Sequence, residues 1–175
     1  MKSALIVSVV GPDQPGLVER LSRVVTEAGG NWEGSRLIQL GGQFAGMVRV
    51  VVPEDQVASL SEQLSRLSEN GLAVTVVHSS SDAGSADSSG SIFLLEVVGQ
   101  DRSGIVAAIS EVLAKQEVNV IELATDCREA PWSGERLFHT TATIQAPEGV
   151  DLDALRNSVE EIAGDLMVEM RPEES

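Results

Sequence analysis

The sequence predicts an α+β protein built of two βαββαβ units in tandem, and three observations carry that prediction. The first is an internal repeat. Shifting the 175-residue chain by 88 places lays Leu5–Gly34 over Phe93–Glu122 with nine identities in thirty positions, where ordinary composition yields about two. They are Val9/Val97, Val10/Val98, Gly11/Gly99, Asp13/Asp101, Gly16/Gly104, Val18/Val106, Ser22/Ser110, Val24/Val112 and Asn31/Asn119. The match resumes at an offset of 94 with Phe44/Phe138, Pro53/Pro147, Leu72/Leu166 and Val74/Val168, so the second copy holds six extra residues, expected as a loop over Arg128 to Glu135. The second observation is that each copy passes through strand-like and helix-like periodicity in the same order. The third is that Gly and Pro fall where one pattern gives way to the next.

In the first copy, Leu5 to Val10 is a continuous apolar run suited to a central strand. Leu17, Val18, Leu21, Val24, Val25 and Ala28 then recur at helical spacing until Gly29-Gly30 stops them. Asn31 to Leu40 alternates, Gly41-Gly42 is a hairpin signal, and Phe44 to Val52 is rich in β-branched residues. After Pro53, Val57, Leu60, Leu64 and Leu67 form a second amphipathic stripe ending before Gly71, and Leu72 to Val77 is the last strand. The second copy repeats the order. Strands are expected at Ile92 to Val98, Val118 to Ala124, Leu137 to Gln145 and Leu166 to Met170. Helical stripes run through Ile105, Val106, Ile109, Val112 and Leu113, and through Leu152, Leu155, Val159 and Ile162. A split βαβ of this kind forms a four-stranded antiparallel sheet with both helices on one face, the ferredoxin-like arrangement. The domain boundaries that follow are 1–77 and 92–171. Between them a Ser-rich segment, 78–91, is too polar to repay the entropy of ordering and reads as a flexible linker, and 172–175 is an acidic tail. Strands as apolar as Val48 to Val52 call for partner packing on the sheet's free face or edge, between copies or between chains.

Charge and composition exclude several functions. Twelve Lys and Arg against 27 Asp and Glu give a net charge of −15, which repels phosphate backbones and argues against direct nucleic-acid binding. Three Phe, two Trp and no Tyr offer few rings for stacking. The single Cys127 excludes an intrachain disulfide and multi-cysteine metal sites, which suits a reduced, cytoplasmic setting. No stretch approaches the roughly 20 apolar residues of a membrane helix, and Ala4 to Val10 lacks the flanks of a signal peptide.

The chemistry of the repeat lies in its first loop, Gly11-Pro12-Asp13-Gln14-Pro15-Gly16-Leu17-Val18 and Gly99-Gln100-Asp101-Arg102-Ser103-Gly104-Ile105-Val106. Such a loop presents a helix N-terminus, whose free N–H groups attract a carboxylate, beside an acid that can hold an ammonium. Together they suit a zwitterion such as a free amino acid. Asn31 and Asn119 are expected to add an amide near the same end of the sheet. The competing structural reading has Asp13 and Asp101 capping the helix, with Pro15 in its first turn and the glycines serving the turn alone. A dinucleotide fingerprint is only distantly echoed, because the central glycine is missing.

This Gly-x-Asp-x-x-Gly-(Leu/Ile)-Val loop with its downstream Asn, twice in a βαββαβ frame, resembles the ACT domain, a small regulatory module. The two-copy chain is similar to the glycine cleavage system transcriptional repressors. The resemblance implies paired ACT units and control exerted through another protein, such as a transcription regulator. It further implies that a small amino acid, possibly glycine, is bound by Asp13, Gln14, Gly16, Leu17 and Asn31 in the first copy and by Asp101, Gly104, Ile105 and Asn119 in the second. The second copy departs from the first at Arg102-Ser103, and Arg102 is expected to neutralise Asp101. The alternative within the same family is a stand-alone sensor subunit acting on a metabolic enzyme.

An enzyme is disfavoured, since neither loop has a second carboxylate, histidine or lysine at a useful spacing; no catalytic residue, cofactor or metal is expected. His78 and His139 lack partners for a metal site. Cys127, expected to end a strand beside Arg128, reads as a structural thiol. Trp32 and Trp132 read as packing or interface residues, Trp132 the better contact for a partner. A homodimer through unused sheet edges is expected.

Overall fold

The computed structural model describes residues 1–79, 90–130 and 133–173. The flexible-linker expectation falls mainly on residues 80–89, and Trp132 and the last two residues also lie outside the described residues. The chain divides into two compact units, Met1–Ala86 and Asp87–Ser175.

In the first unit, β1 (Lys2–Pro12) leads to α1 (Leu17–Glu27), then to β2 (Asn31–Leu40) and β3 (Gln43–Pro53), α2 (Val57–Arg66) and β4 (Ala73–His78). The second unit repeats the series as β5 (Gly90–Gln100), α3 (Ile105–Lys115), β6 (Asn119–Glu129), β7 (Arg136–Pro147), α4 (Leu152–Glu160) and β8 (Met167–Pro172). The sheets have the orders β2-β3-β1-β4 and β6-β7-β5-β8, antiparallel throughout. The βαββαβ expectation therefore holds in both units.

The apolar stripes explain where the core sits. Leu17, Leu21 and Val25 on α1 and Leu60 and Leu64 on α2 recur at helical spacing, and they cover the alternate residues Leu5, Val7, Val9, Val48, Val50 and Val52 of the central strands. Ile105, Ile109 and Leu113 with Leu155 and Val159 do the same over Leu95, Val97 and Ile144. Each sheet's other face is open. In the first unit Val10, Ile38, Met47 and Val77 are exposed there, whereas the second unit has Val98, Asp126, Thr141 and Arg171 at the matching registers.

Some boundaries differ from expectation. The ends of the 78–91 segment are strand and not linker, because His78 closes β4 and Gly90 and Ser91 open β5 opposite Pro147 and Ala146. The extra residues of the second unit fall at the β6–β7 connection as expected, but that connection starts later than Arg128, because β6 continues to Glu129, with Arg128 opposite Leu137 and Glu129 opposite Arg136. They lengthen the β6–β7 hairpin. Cys127 consequently lies within β6 opposite Phe138, exposed, rather than at a strand end.

Candidate functional site

The two loops that end β1 and β5 have the same backbone frame, and their glycines hold different parts of it. A Cβ on Gly11 would stand 2.6 Å from the Gly71 carbonyl oxygen, and one on Gly99 would stand 2.5 Å from Leu166 Cδ2. The first glycine of the motif is thus a close-approach residue. The second has φ of +87° at Gly16 and +86° at Gly104 and occupies the N-cap position of α1 and α3.

That geometry overturns the capping reading of the aspartates. Neither α1 nor α3 has a side-chain cap, whereas Asp151 Oδ1 accepts the N–H groups of Asp153 and Ala154 at 3.0 Å at the start of α4. Asp13 and Asp101 stay exposed, and their backbone N–H groups donate to the carbonyls of Gly42 (3.0 Å) and Arg136 (2.9 Å), tying each loop to the neighbouring hairpin. Gln14 is exposed beside Asp13. Leu17 and Ile105 are each only 4% exposed and belong to the core.

Asn31 and Asn119 are not near these loops within their own units. Asn31 is opposite Val51, which faces Ala4 at the beginning of β1, and Asn119 is opposite Gln145, which faces Ile92. The reason is the crossover: the helix runs back along the sheet, so the next strand starts at the far end. Nine residues of strand separate Ala4 from Asp13, roughly 30 Å. No single small ligand spans that distance.

The loops also differ in chemistry. Arg102 does not neutralise Asp101, contrary to expectation. Its Nη1 donates to Asp165 Oδ1 at 2.9 Å, while the Gln100 backbone N–H donates to Asp165 Oδ2 at 2.7 Å. Arg102 and then the Gln100 N–H hold the Asp165 carboxyl below the usual carboxylate range. The Arg102 Nη2 atom is buried with no hydrogen-bond partner among the described residues. The cation beside Asp101 is Arg136, with Nε 3.6 Å from Oδ2. Among the described residues Asp13 has no ion pair. Sequence reasoning passed over Asp165 and Arg136; the 94-residue offset, which sets them against Gly71 and Gly42, held the signal.

His139 is opposite Asp126 and Val98 on the open face, and no group of three potential metal ligands exists among the described residues. No helix of the described residues is long and apolar enough to cross a membrane.

The ACT-domain family profile matches residues 3–77. The first unit is an ACT domain. The second repeats its strand order, register and loop, so the chain has a tandem ACT architecture. Two solved structures match over 99% of this chain and 99% of their own. An unknown protein from Galdieria sulphuraria is 28% identical with a TM-score of 0.82. A candidate glycine cleavage system transcriptional repressor is 17% identical with a TM-score of 0.68, a likeness of fold. No curated protein matches the chain in sequence.

Proposed function

We propose that this tandem ACT protein is a non-enzymatic regulator that responds to a small amino acid, glycine foremost, and acts on a transcription regulator by protein contact. The observation that carries the reading is the loop itself. A left-handed glycine at the N-cap leaves the first-turn N–H groups of α1 and α3 without a side-chain acceptor, next to an exposed aspartate. An amino acid's carboxylate satisfies those N–H groups and its ammonium meets the aspartate. Asn31 and Asn119 reach such a ligand only from another ACT unit, either the other unit of the same chain or one of a second chain in a homodimer. The net charge of −15 favours action through a protein over direct contact with DNA, and the fold shared with the candidate glycine cleavage repressor supports this target class. One reduced cysteine suits the cytoplasm.

Thermal unfolding of the full chain against each amino acid tests the reading. A ligand at a hundred times its dissociation constant adds about 2.7 kcal/mol to the native state. The same ligand is expected to change capture of a transcription regulator. A flat response across the panel would leave the loops as structural turns, and ligand-dependent capture of a metabolic enzyme instead would favour the sensor-subunit alternative.

A further inference from the structure

The two loops have diverged at coupled positions. In the first unit the residue after Gly11 is Pro12, which has no backbone N–H, and the residue at the close approach is Gly71, which has no side chain. In the second unit the same positions are Gln100 and Asp165, and the new N–H is bonded to the new carboxylate at 2.7 Å. Asp165 also takes Arg102 at 2.9 Å, where the first unit has the neutral Gln14. Arg136 stands by Asp101 where the first unit has Gly42.

We infer that Asp165 is a clamp that fixes the second loop to the turn before β8, so that the amino-acid response belongs to the first loop alone. The clamp rests on geometry; the assignment of the response rests on the amino-acid reading above. In the second loop, two of its six residues are tied to one carboxylate, and a charge-assisted bond of this kind is stronger than a neutral one. An incoming ammonium must also share Asp101 with Arg136. The first loop has a carboxylate with no competing cation among the described residues, on a segment stiffened by Pro12 and Pro15.

Two measurements on the full chain test the inference and separate it from the reading it rests on. The first is amide hydrogen exchange. In the wild type the Gln100 amide is expected to be protected. Asp165→Gly is expected to raise its exchange about tenfold with Val97 and Ile109 unchanged, while Asp165→Asn, which keeps the acceptor, retains the protection. Equal exchange in the wild type and Asp165→Gly overturns the clamp. The second is calorimetric titration with each amino acid in turn, glycine first. One ligand per chain, lost in Asp13→Asn and kept in Asp101→Asn, supports the assignment. Two ligands per chain, or binding that survives Asp13→Asn, overturns it and leaves amino-acid sensing intact. Absence of binding for every amino acid overturns the sensing reading and with it the assignment, while the exchange result still decides the clamp.

Discussion

The Asp165 carboxylate lies 2.9 Å from the Arg102 guanidinium, at the sequence position that the first unit gives to Gly71. A guanidinium does not deprotonate in folded proteins, so the pH dependence of such a pair is carried by its acid. Because the folded carboxyl is held below its unfolded value, the stability it lends is present above about pH 4 and is lost as pH falls through the lower folded value. Asp165→Asn removes the charge and keeps an acceptor for Gln100. The difference in urea midpoint between wild type and Asp165→Asn is expected to be constant between about pH 5 and 7 and to shrink towards zero below about pH 4. A difference that persists undiminished in acid would show that the charge is not its source.

Glu117 has φ of +57°, the one described non-glycine residue in the left-handed region. In the first unit Gly29 holds this place with φ of +65°. The two helix ends match bond for bond: Gly29 and Gly30 donate to Thr26 and Val25 (both 2.9 Å), Glu117 and Val118 to Ala114 and Leu113 (3.1 and 3.0 Å). A side chain in this conformation costs about 1–2 kcal/mol that glycine does not incur. Glu117→Gly is therefore expected to stabilise the second unit by about 1 kcal/mol, a rise of about 4–8 °C in its thermal midpoint. An unchanged or lower midpoint would count against it.

Gly46 presents the reverse case. It lies opposite Val9 and Leu37 with φ of +152°, and a Cβ there would overlap the Arg36 carbonyl oxygen of the neighbouring strand. The second unit has Thr140 at this register, 2% exposed, with its hydroxyl donating to the Ala124 carbonyl at 3.1 Å. Gly46→Ala is expected to cost about 3 kcal/mol or more, since backbone of β2 or β3 must move. Thr140→Ala is expected to cost about 1–2 kcal/mol for one buried hydrogen bond and a methyl group. Chemical denaturation of both variants gives the comparison, and a milder effect at Gly46 than at Thr140 would contradict it.

The periodicities of Leu17 to Ala28 and Leu5 to Val10 made the helix and strand legible, because apolar spacing alone decides which face is buried. The loop glycines were legible as turn residues but not in their separate roles, since the close approach of Gly11 to Gly71 is a contact across 60 positions of sequence. The placement of Asn31 is not legible in the sequence, because proximity after a helix depends on the direction in which the helix returns. Asp165 and Arg136 are illegible for a related reason: neither belongs to the motif, and only folding brings them to it. The extent of β6 was hidden by its polar alternation after Ala124, which a twofold exposed edge strand permits.

The register of the two edge strands yields a last prediction. Trp32 is opposite Val50 and packs against the first core. Its counterpart Val120 is opposite Ile144, is 37% exposed, and lines a cleft of about 20 Å³ with Val106, Ile109, Leu113, Leu123 and Phe138. Both residues precede a register shift in their strands, so their side chains leave the sheet in the same direction. The position thus carries an indole against the first core and an isopropyl group beside a cleft in the second. Val120→Trp is expected to stabilise the second unit by about 1 kcal/mol by covering the apolar surface around the cleft and not by fitting inside it, whereas Trp32→Val is expected to cost about 2 kcal/mol by uncovering part of the first core. Urea unfolding followed by tryptophan fluorescence reads both, because an indole at 120 packed against Ile109 and Phe138 shifts its emission to the blue. If Val120→Trp lowers stability or leaves the indole emitting as in water, the cleft is closed by backbone position and not by the missing side chain.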